Sequence, residues 1–306
     1  MDGSIIIDKP SGVTSHDVVV RVRRAVRTRK VGHAGTLDPL ATGVLIVCIG
    51  RATRLIQFLV GLDKEYLATV RLGFATDTHD SSGRQITPLV TPKHISIQKI
   101  EDLLSGFLGR QLQLPPMFSA KKIAGQKLYV AARAGLELER EPVPVQIHSI
   151  QMVGDEPLRE NPDGTFDLLI RVRCSSGTYI RWLAHELGRR LGIGAHLAKL
   201  RRTAVGQFSL ERAVTVELVE EMARNHRFNS LLISPSDTVG HLPAISVDEA
   251  RARRISNGGQ VDAPEADQFP PATIVRLCDA RGDLIAIGKL DPLARKINPK
   301  VVLARY

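Results

Sequence analysis

The stretch FDLLIRVRCSSGTYIRWLAHELGRRLG, residues 166–192, places two different periods side by side. Over residues 166–175 the apolar positions alternate. Leu168, Ile170, Val172 and Cys174 share one face, and Arg171 and Arg173 occupy the other, as a half-covered strand requires. From Thr178 onward the spacing is that of an amphipathic helix, and Gly192 ends it. Outward from this pair the mixture continues. SIIIDKPSG (4–12) reads as a strand entering a Pro-Ser-Gly turn. TSHDVVVRVRRAVR (14–27) reads as a helix capped by Thr14 or Ser15, with Asp17 in its first turn and Val18, Val22 and Val26 on one face. GVLIVCIG (43–50) is a buried strand, RATRLIQFLVGL (51–62) a helix, and EYLATVRLG (65–73) an alternating strand. DTHDSSGR (77–84) is a turn-rich loop, and SIQKIEDLLSGFLG (96–109) a helix capped by Ser96. GDEPLRENPDG (154–164) reads as an exposed connection. Strands and helices follow no regular βαβ rhythm, so the expected class is α+β with a mixed, mainly antiparallel sheet.

A seam is expected at 235–243, PSDTVGHLP. It divides a unit of residues 1–240 from a small β-rich unit of residues 243–306. The latter should hold one helix in SVDEARARRISNGG (246–259), two strands in TIVRLCDARGDLIAIGKL (273–290) and a last strand in KVVLARY (300–306). Its size is near the lower limit for independent folding.

The 306 residues carry 42 Lys and Arg against 32 Asp and Glu, a formal net charge of +10. That balance suits a polyanionic partner such as nucleic acid. The run RVRRAVRTRK (21–30) holds six of the cations. Lys121-Lys122, Arg189-Arg190, and Lys199 with Arg201-Arg202 add clusters suited to phosphate contacts. Cys48, Cys174 and Cys278 form no CxxC and sit among apolar neighbours, so they are expected to be reduced and buried in a cytoplasmic protein. No charged-then-apolar leader opens the chain, and no apolar run is long enough to span a bilayer.

Within this basic chain, GHAGTLDPLATG (32–43) holds a single carboxylate, Asp38, in a loop set by glycines and Pro39. An Asp before Pro in such a loop is ordinarily a turn residue. No HExxH, Walker A motif or His/Cys/Asp/Glu spacing for a metal accompanies it. The aspartyl phosphatase pattern needs a second Asp two positions on, where this chain has Leu40. What remains is a nucleophile toward carbon or a general base. Both require the ionised form, and the surrounding cations are expected to keep it so.

The blocks DKPSGVTSHDVV, VGHAGTLDPLATGVL, KEYLATVRLG, PPMFSAKK, CSSGTYIR and AHLAKLRRTAVGQF, in this order, resemble the bacterial tRNA pseudouridine-55 synthases of the B-type family. The resemblance covers residues 4–215. It implies a pseudouridine synthase catalytic domain followed by a PUA-like RNA-binding domain. It implies isomerisation of uridine 55 in the TΨC loop of tRNA to pseudouridine, on a flipped-out nucleotide and without cofactor or metal. Asp38 then corresponds to the catalytic aspartate, Tyr66 to the catalytic tyrosine that stacks on the target base and takes part in proton transfer, and Arg181 to the partner that holds the aspartate. Tyr179 and Leu200 line the uridine pocket, and His33 packs into the RNA loop. Lys9 and Pro10 support the active-site loop. Members often carry Lys where this chain has Ser176, so one phosphate contact of the family is not expected here. The segment 111–143, with Lys121, Lys122, Lys127 and Arg133, would close over the RNA. It argues for the stand-alone type, a monomer acting on the T-arm stem-loop with no guide RNA and no membrane. The other readings are a guide-dependent relative acting on ribosomal RNA, which shares Gly-Thr-Leu-Asp, and a non-catalytic RNA-binding protein on the same scaffold.

Overall fold

The computed structural model describes residues 1–93, 95–117, 122–123, 126–128, 136, 138–291 and 293–303. In chain order its strands are β1 (Gly3–Lys9), β2 (Val31–Ala34), β3 (Thr42–Ile49), β4 (Lys64–Leu72), β5 (Gly109–Gln113), β6 (Lys122–Ile123), β7 (Gln126–Lys127), β8 (Val143–Met152), β9 (Leu158–Glu160), β10 (Phe166–Cys174), β11 (Ala195–Val205), β12 (Phe208–Ser209), β13 (Ala244–Ser246), β14 (Val261–Asp262), β15 (Ile274–Cys278), β16 (Leu284–Asp291) and β17 (Lys296–Val302). The helices are α1 (Ser15–Ala25), α2 (Ile56–Leu59), α3 (Ile97–Ser105), α4 (Ile180–Leu191), α5 (Val216–Arg224), α6 (Pro235–Thr238) and α7 (Glu249–Ser256).

A large sheet runs in the order β1-β3-β11-β4-β10-β8-β5, with β2 beside β3, β9 beside β10 and β12 beside β11. Its pairings are antiparallel except for the short parallel contact of β3 with β11. A second sheet, β13-β15-β16-β17-β14, follows residue 243. The expected α+β class with a mainly antiparallel sheet and a β-rich C-terminal part is what the chain forms.

Burial explains the sequence patterns. Strand β3 is covered on both sides. Leu45, Val47 and Ile49 pack with Val18, Val19 and Val22 of α1 and Val216 and Val219 of α5. Val44, Ile46 and Cys48 pack the other way, with Leu55, Leu59 and the C-terminal Ile287 and Val301. A strand buried on both faces reads as one unbroken apolar run. Strand β10 is covered on one face only: Leu168, Ile170, Val172 and Cys174 are buried against α4, while Arg171 and Arg173 are exposed.

Local signals held where they were strong. Thr14 accepts from the Asp17 N–H and Asp17 accepts from the Thr14 N–H, a complete capping box on α1. Ser96 caps α3, and Gly192, at φ 77°, ends α4. Gly188, inside α4, marks a close approach, since a Cβ there would lie 2.1 Å from the Ala195 nitrogen. The three cysteines are buried and free, and burial pushes the Cys48 thiol up to about 12.

Four readings change. Residues 32–34 of the Asp38 motif are strand, not loop, because β3 offers them an edge to pair with. The segment read as one helix at 51–62 is a 3-10 turn, Gly50–Leu55, followed by the single turn of α2. There the Thr53 hydroxyl bonds back to the Gly50 carbonyl at 2.8 Å, a local bond that competes with a regular ladder. Part of the 154–164 connection is β9, paired with Phe166–Leu168 across a turn in which Asp163 accepts from Thr165. The last strand starts at Lys296, earlier than read, and residues 304–306 lie outside the described ones. Among the described residues no helix is long and apolar enough to cross a membrane.

Candidate active site

Asp38 lies in the loop 35–41 between β2 and β3, and three neighbours fasten that loop. The first residue of α1, Ser15, is buried. Its Oγ accepts from the Leu37 N–H at 2.8 Å, and its hydroxyl donates to the Leu37 carbonyl at 3.1 Å. Lys9, at the end of β1, is fully buried. Its ammonium donates to the carbonyls of Pro10 (2.8 Å), Val13 (2.7 Å) and, more weakly, Pro39 (3.4 Å). Burial pulls its pKa down to about 8, a shift that the nearby Asp38 opposes. From β11 the guanidinium of Arg202, 1% exposed, donates to the carbonyls of Gly35 at 3.0 Å and Val44 at 2.7 Å. Gly43 makes this possible: it sits at φ +103°, and a Cβ there would be 2.2 Å from the Arg202 carbonyl oxygen. Arg202 is therefore an interior brace and not the phosphate contact expected of it. Its neighbour Arg201 is held by Asp8 at 2.7 Å.

The Asp38 carboxylate meets Arg181 of α4, Nη2 to Oδ2 at 3.1 Å. Arg181 is almost buried, with its side chain 6% exposed, while Asp38 keeps 36%. The other guanidinium nitrogen, Nη1, reaches Asp80 Oδ2 at 3.3 Å. Asp80 is buried in the loop after β4, where it also accepts from the Thr78 hydroxyl, the Ser82 N–H and the Ser82 hydroxyl. That loop is strapped to β11, since Leu197 N–H donates to the His79 carbonyl and Ser81 N–H to the Leu197 carbonyl. The arrangement is a carboxylate–guanidinium–carboxylate line with one end open to solvent.

A cleft of about 410 Å³ opens at that end, lined among others by Asp38, Lys64, Tyr66, Tyr179, Arg181 and Leu200. Tyr66 comes from β4 and is buried; burial raises its phenol, and the Arg202 guanidinium opposes this. Tyr179 stands at the N-terminal cap of α4, its N–H donating to the Gln113 side-chain oxygen at 2.8 Å. Leu200 contributes an apolar wall from β11. His33 is not part of this lining. It sits on β2 just before the loop, half-buried, with Nδ1 lacking a partner among the described residues, and burial lowers its pKa. A larger cleft, about 690 Å³, lies between the C-terminal ends of α1 and α5 and contains none of these side chains.

Burial pushes the Asp38 carboxyl above its ordinary range; Arg181 opposes the shift and Asp80 adds to it. Of the cations expected to favour the ionised form, Arg181 and Lys9 do act in that direction, but removal of water acts more strongly and the net shift is upward. Asp80, Arg202 and Lys64 had not been read as site residues. Lys64 is buried, donates to the carbonyls of Val60 and Leu62, and is brought down to about 8 by burial. The only sequence signal for Asp80 was a second carboxylate in the Gly- and Ser-rich loop after β4. Of the insert cations, Lys121 and Arg133 lie outside the described residues, as do the side chains of Lys122 and Lys127. Among the described residues no group of three or more His, Cys, Asp or Glu could hold a metal ion.

The model of the TruB family pseudouridylate synthase N-terminal domain matches residues 23–180, and that of the tRNA pseudouridylate synthase B C-terminal domain matches 181–239. A tRNA pseudouridine synthase B of Geobacter sulfurreducens is 47% identical over 300 residues, covering 96% of this chain and 94% of its own. Its counterpart in Solibacter usitatus is 41% identical over 303 residues, covering 99% and 100%. Among solved structures, a Cbf5-Nop10-Gar1 complex contains a chain with TM-score 0.73 and 27% identity, the match covering 99% of this chain and 85% of that one. The archaeal box H/ACA sRNP Nop10-Cbf5 complex gives the same TM-score at 25% identity, covering 99% of this chain and 86% of that one.

Proposed function

The chain belongs to the TruB family of pseudouridylate synthases, and from that premise we propose that it converts uridine 55, in the TΨC loop of tRNA, to pseudouridine, with Asp38 as the essential carboxylate. The reaction breaks the bond between N1 of uracil and C1′ of ribose, turns the base, and joins C5 to C1′. The C5 proton leaves and N1 gains one, so the product is an isomer and no electron is gained or lost. Cleavage builds positive character at the sugar, which an adjacent carboxylate stabilises or traps. Attack on the sugar, attack on the base and removal of a sugar proton all demand ionised Asp38. All three also demand a uridine drawn out of its stack. Tyr66 is the platform that offsets the lost stacking, an effect of roughly 1–3 kcal/mol for an aromatic contact. Tyr179 and Leu200 bound the base, Arg181 aims the carboxylate, and His33, outside the cleft, faces the rest of the RNA loop. Residues 1–240 form the catalytic unit in this reading, and 243–306 a PUA-like RNA-binding unit.

The observation that carries the proposal is the Asp38–Arg181 pair at the mouth of a cleft walled by two tyrosines. Single-stranded loops are where proteins read RNA sequence, so an isolated T-arm hairpin should suffice. The test is pseudouridine formation on a transcribed tRNA, on the hairpin and on a loop-scrambled hairpin, with no other RNA or protein added. Hairpin turnover close to that of whole tRNA is expected. An inert hairpin beside reactive tRNA would place recognition in the folded elbow. The resemblance to Cbf5 chains keeps a guide-dependent reading in view. It prevails if neither substrate reacts until a guide RNA is supplied.

A further inference from the structure

Behind Arg181 two histidine rings lie face to face. His79, from the loop after β4, and His185, from α4, have ring centroids 3.8 Å apart and planes within 7° of parallel. Each belongs to an element that supplies one member of the Asp80–Arg181 pair. His79 directly precedes Asp80, and His185 follows Arg181 by four residues, one helical turn along the same face. His79 also holds a backbone conformation rare for a residue with a side chain, φ 63°. Such a conformation persists when its surroundings over-determine it. The His79 N–H donates to the Thr76 carbonyl, and its own carbonyl accepts from Leu197. Both Nδ1 atoms are buried without a hydrogen-bond partner among the described residues, so neither ring is placed there by a polar contact through that nitrogen.

We propose that His79 and His185 are positioning residues: their stack pins the Asp80 loop to α4 so that Arg181 stays clamped between Asp80 and Asp38, and turnover fails on the acid side when the stack gains charge. The inference rests on the catalytic reading of Asp38 and Arg181. Two neutral imidazoles stack as ordinary aromatic rings, whereas a charged ring meets other cations. Arg181 faces the pair from α4, where Glu186 and Arg189 also act on His185. Asp80 faces His79 from its own loop, and Arg140 approaches from the segment before β8. Burial, with His185 and Arg181 adding to it, lowers His79 to about 4; burial also lowers His185, against the attraction of Glu186. His79 is therefore neutral at neutral pH, and His185 is shifted in the same direction.

Single-turnover rate and RNA affinity, measured against pH, test this for wild type, His185→Ala, His185→Phe and His79→Asn. His79→Asn tolerates a positive φ and lacks a ring. The two ringless variants should lose on the order of tenfold or more in rate with RNA affinity unchanged. His185→Phe should recover most of that loss at neutral pH, and its acid limb should lie at lower pH than the wild-type limb. Ringless variants with the wild-type rate and acid limb would overturn the proposal. So would a Phe variant as slow as the Ala variant. An NMR titration of the histidine rings in the wild-type protein is independent of turnover. His79 and His185 should both titrate below the ordinary histidine range, and ordinary values for the two would also overturn it. Failure of wild type to modify any tRNA would sink the catalytic reading while leaving the ring titration as evidence on the stack.

Discussion

Asp38 is held where charge is disfavoured, and the role proposed for it depends on its being charged. Replacing it with Asn should reduce turnover below about a thousandth of wild type, roughly 4 kcal/mol of barrier, with RNA affinity retained; rapid quench and filter binding report the two. The carboxyl is raised by burial, so between the unfolded and folded pKa values the folded state binds the extra proton. Stability then falls as pH rises through that window. Asp38→Asn should therefore melt no lower than wild type. The same direction adds to the pH–rate profile: in the His185→Phe protein, where the stack cannot gain charge on that ring, the remaining acid limb should reflect Asp38 and lie above the ordinary carboxylate range. Arg181→Gln removes the cation that opposes the shift, so the acid limb should move to higher pH. A limb that stays in place would mean that Arg181 does not act on Asp38 in solution.

Helix α1 carries two jobs on adjacent residues. Thr14 caps it, and Ser15 ties it to the Asp38 loop. Ser15→Ala leaves the buried Leu37 N–H unpaired, a cost of about 1–3 kcal/mol. It should lower the denaturant midpoint and slow the single-turnover rate together. Thr14→Ala should cost about 1 kcal/mol of stability, the usual loss for a missing cap, with a much smaller effect on rate. The pair separates a helix signal that is written locally from a fastening that is not. Thr14 and Asp17 are three residues apart and were readable in the sequence. Ser15 and Leu37 are 22 apart, and nothing in either one names the other.

The second sheet is not a free appendage. Cys278, Leu284, Ile287, Val301 and Leu303 share a core with Ala52, Leu55, Leu59 and Val239. Arg51 and Arg54 donate to the carbonyls of Leu303 and Val302, and Arg276 donates to that of Leu242. Cutting the chain after Leu242 would uncover this surface, so the truncated protein should melt at lower temperature and aggregate, as light scattering on heating would show. Surface substitution is the cleaner probe of RNA binding by this unit. Arg253 and Arg254 are exposed on α7. If each meets a phosphate, removing one should weaken binding and reduce the salt slope by roughly 0.7–0.9, while turnover at saturation is kept. An unchanged slope would take α7 out of the interface.

Periodicity and caps are local properties, written within a few residues of one another, and they determined the elements. The alternation of 166–175, the apolar run of 43–50, the Thr14 and Ser96 caps and the stop at Gly192 all follow from short-range sterics and hydrogen bonding. The ordered blocks around Gly-Thr-Leu-Asp also pointed to Asp38, Tyr66, Tyr179, Arg181 and Leu200, which the fold gathers at one cleft. Tertiary structure alone decided the roles of residues whose meaning depends on what lies opposite. Arg202 reads as one of a cluster of cations with Lys199 and Arg201, yet it braces the Asp38 loop from inside. Asp80 reads as a turn residue, yet it takes the second half of the Arg181 guanidinium. His79 and His185 are 106 positions apart and meet ring to ring. Whether a charge binds phosphate, braces a loop or is driven to neutrality depends on burial and on partners distant in the chain, and both come into being only when the sheet closes.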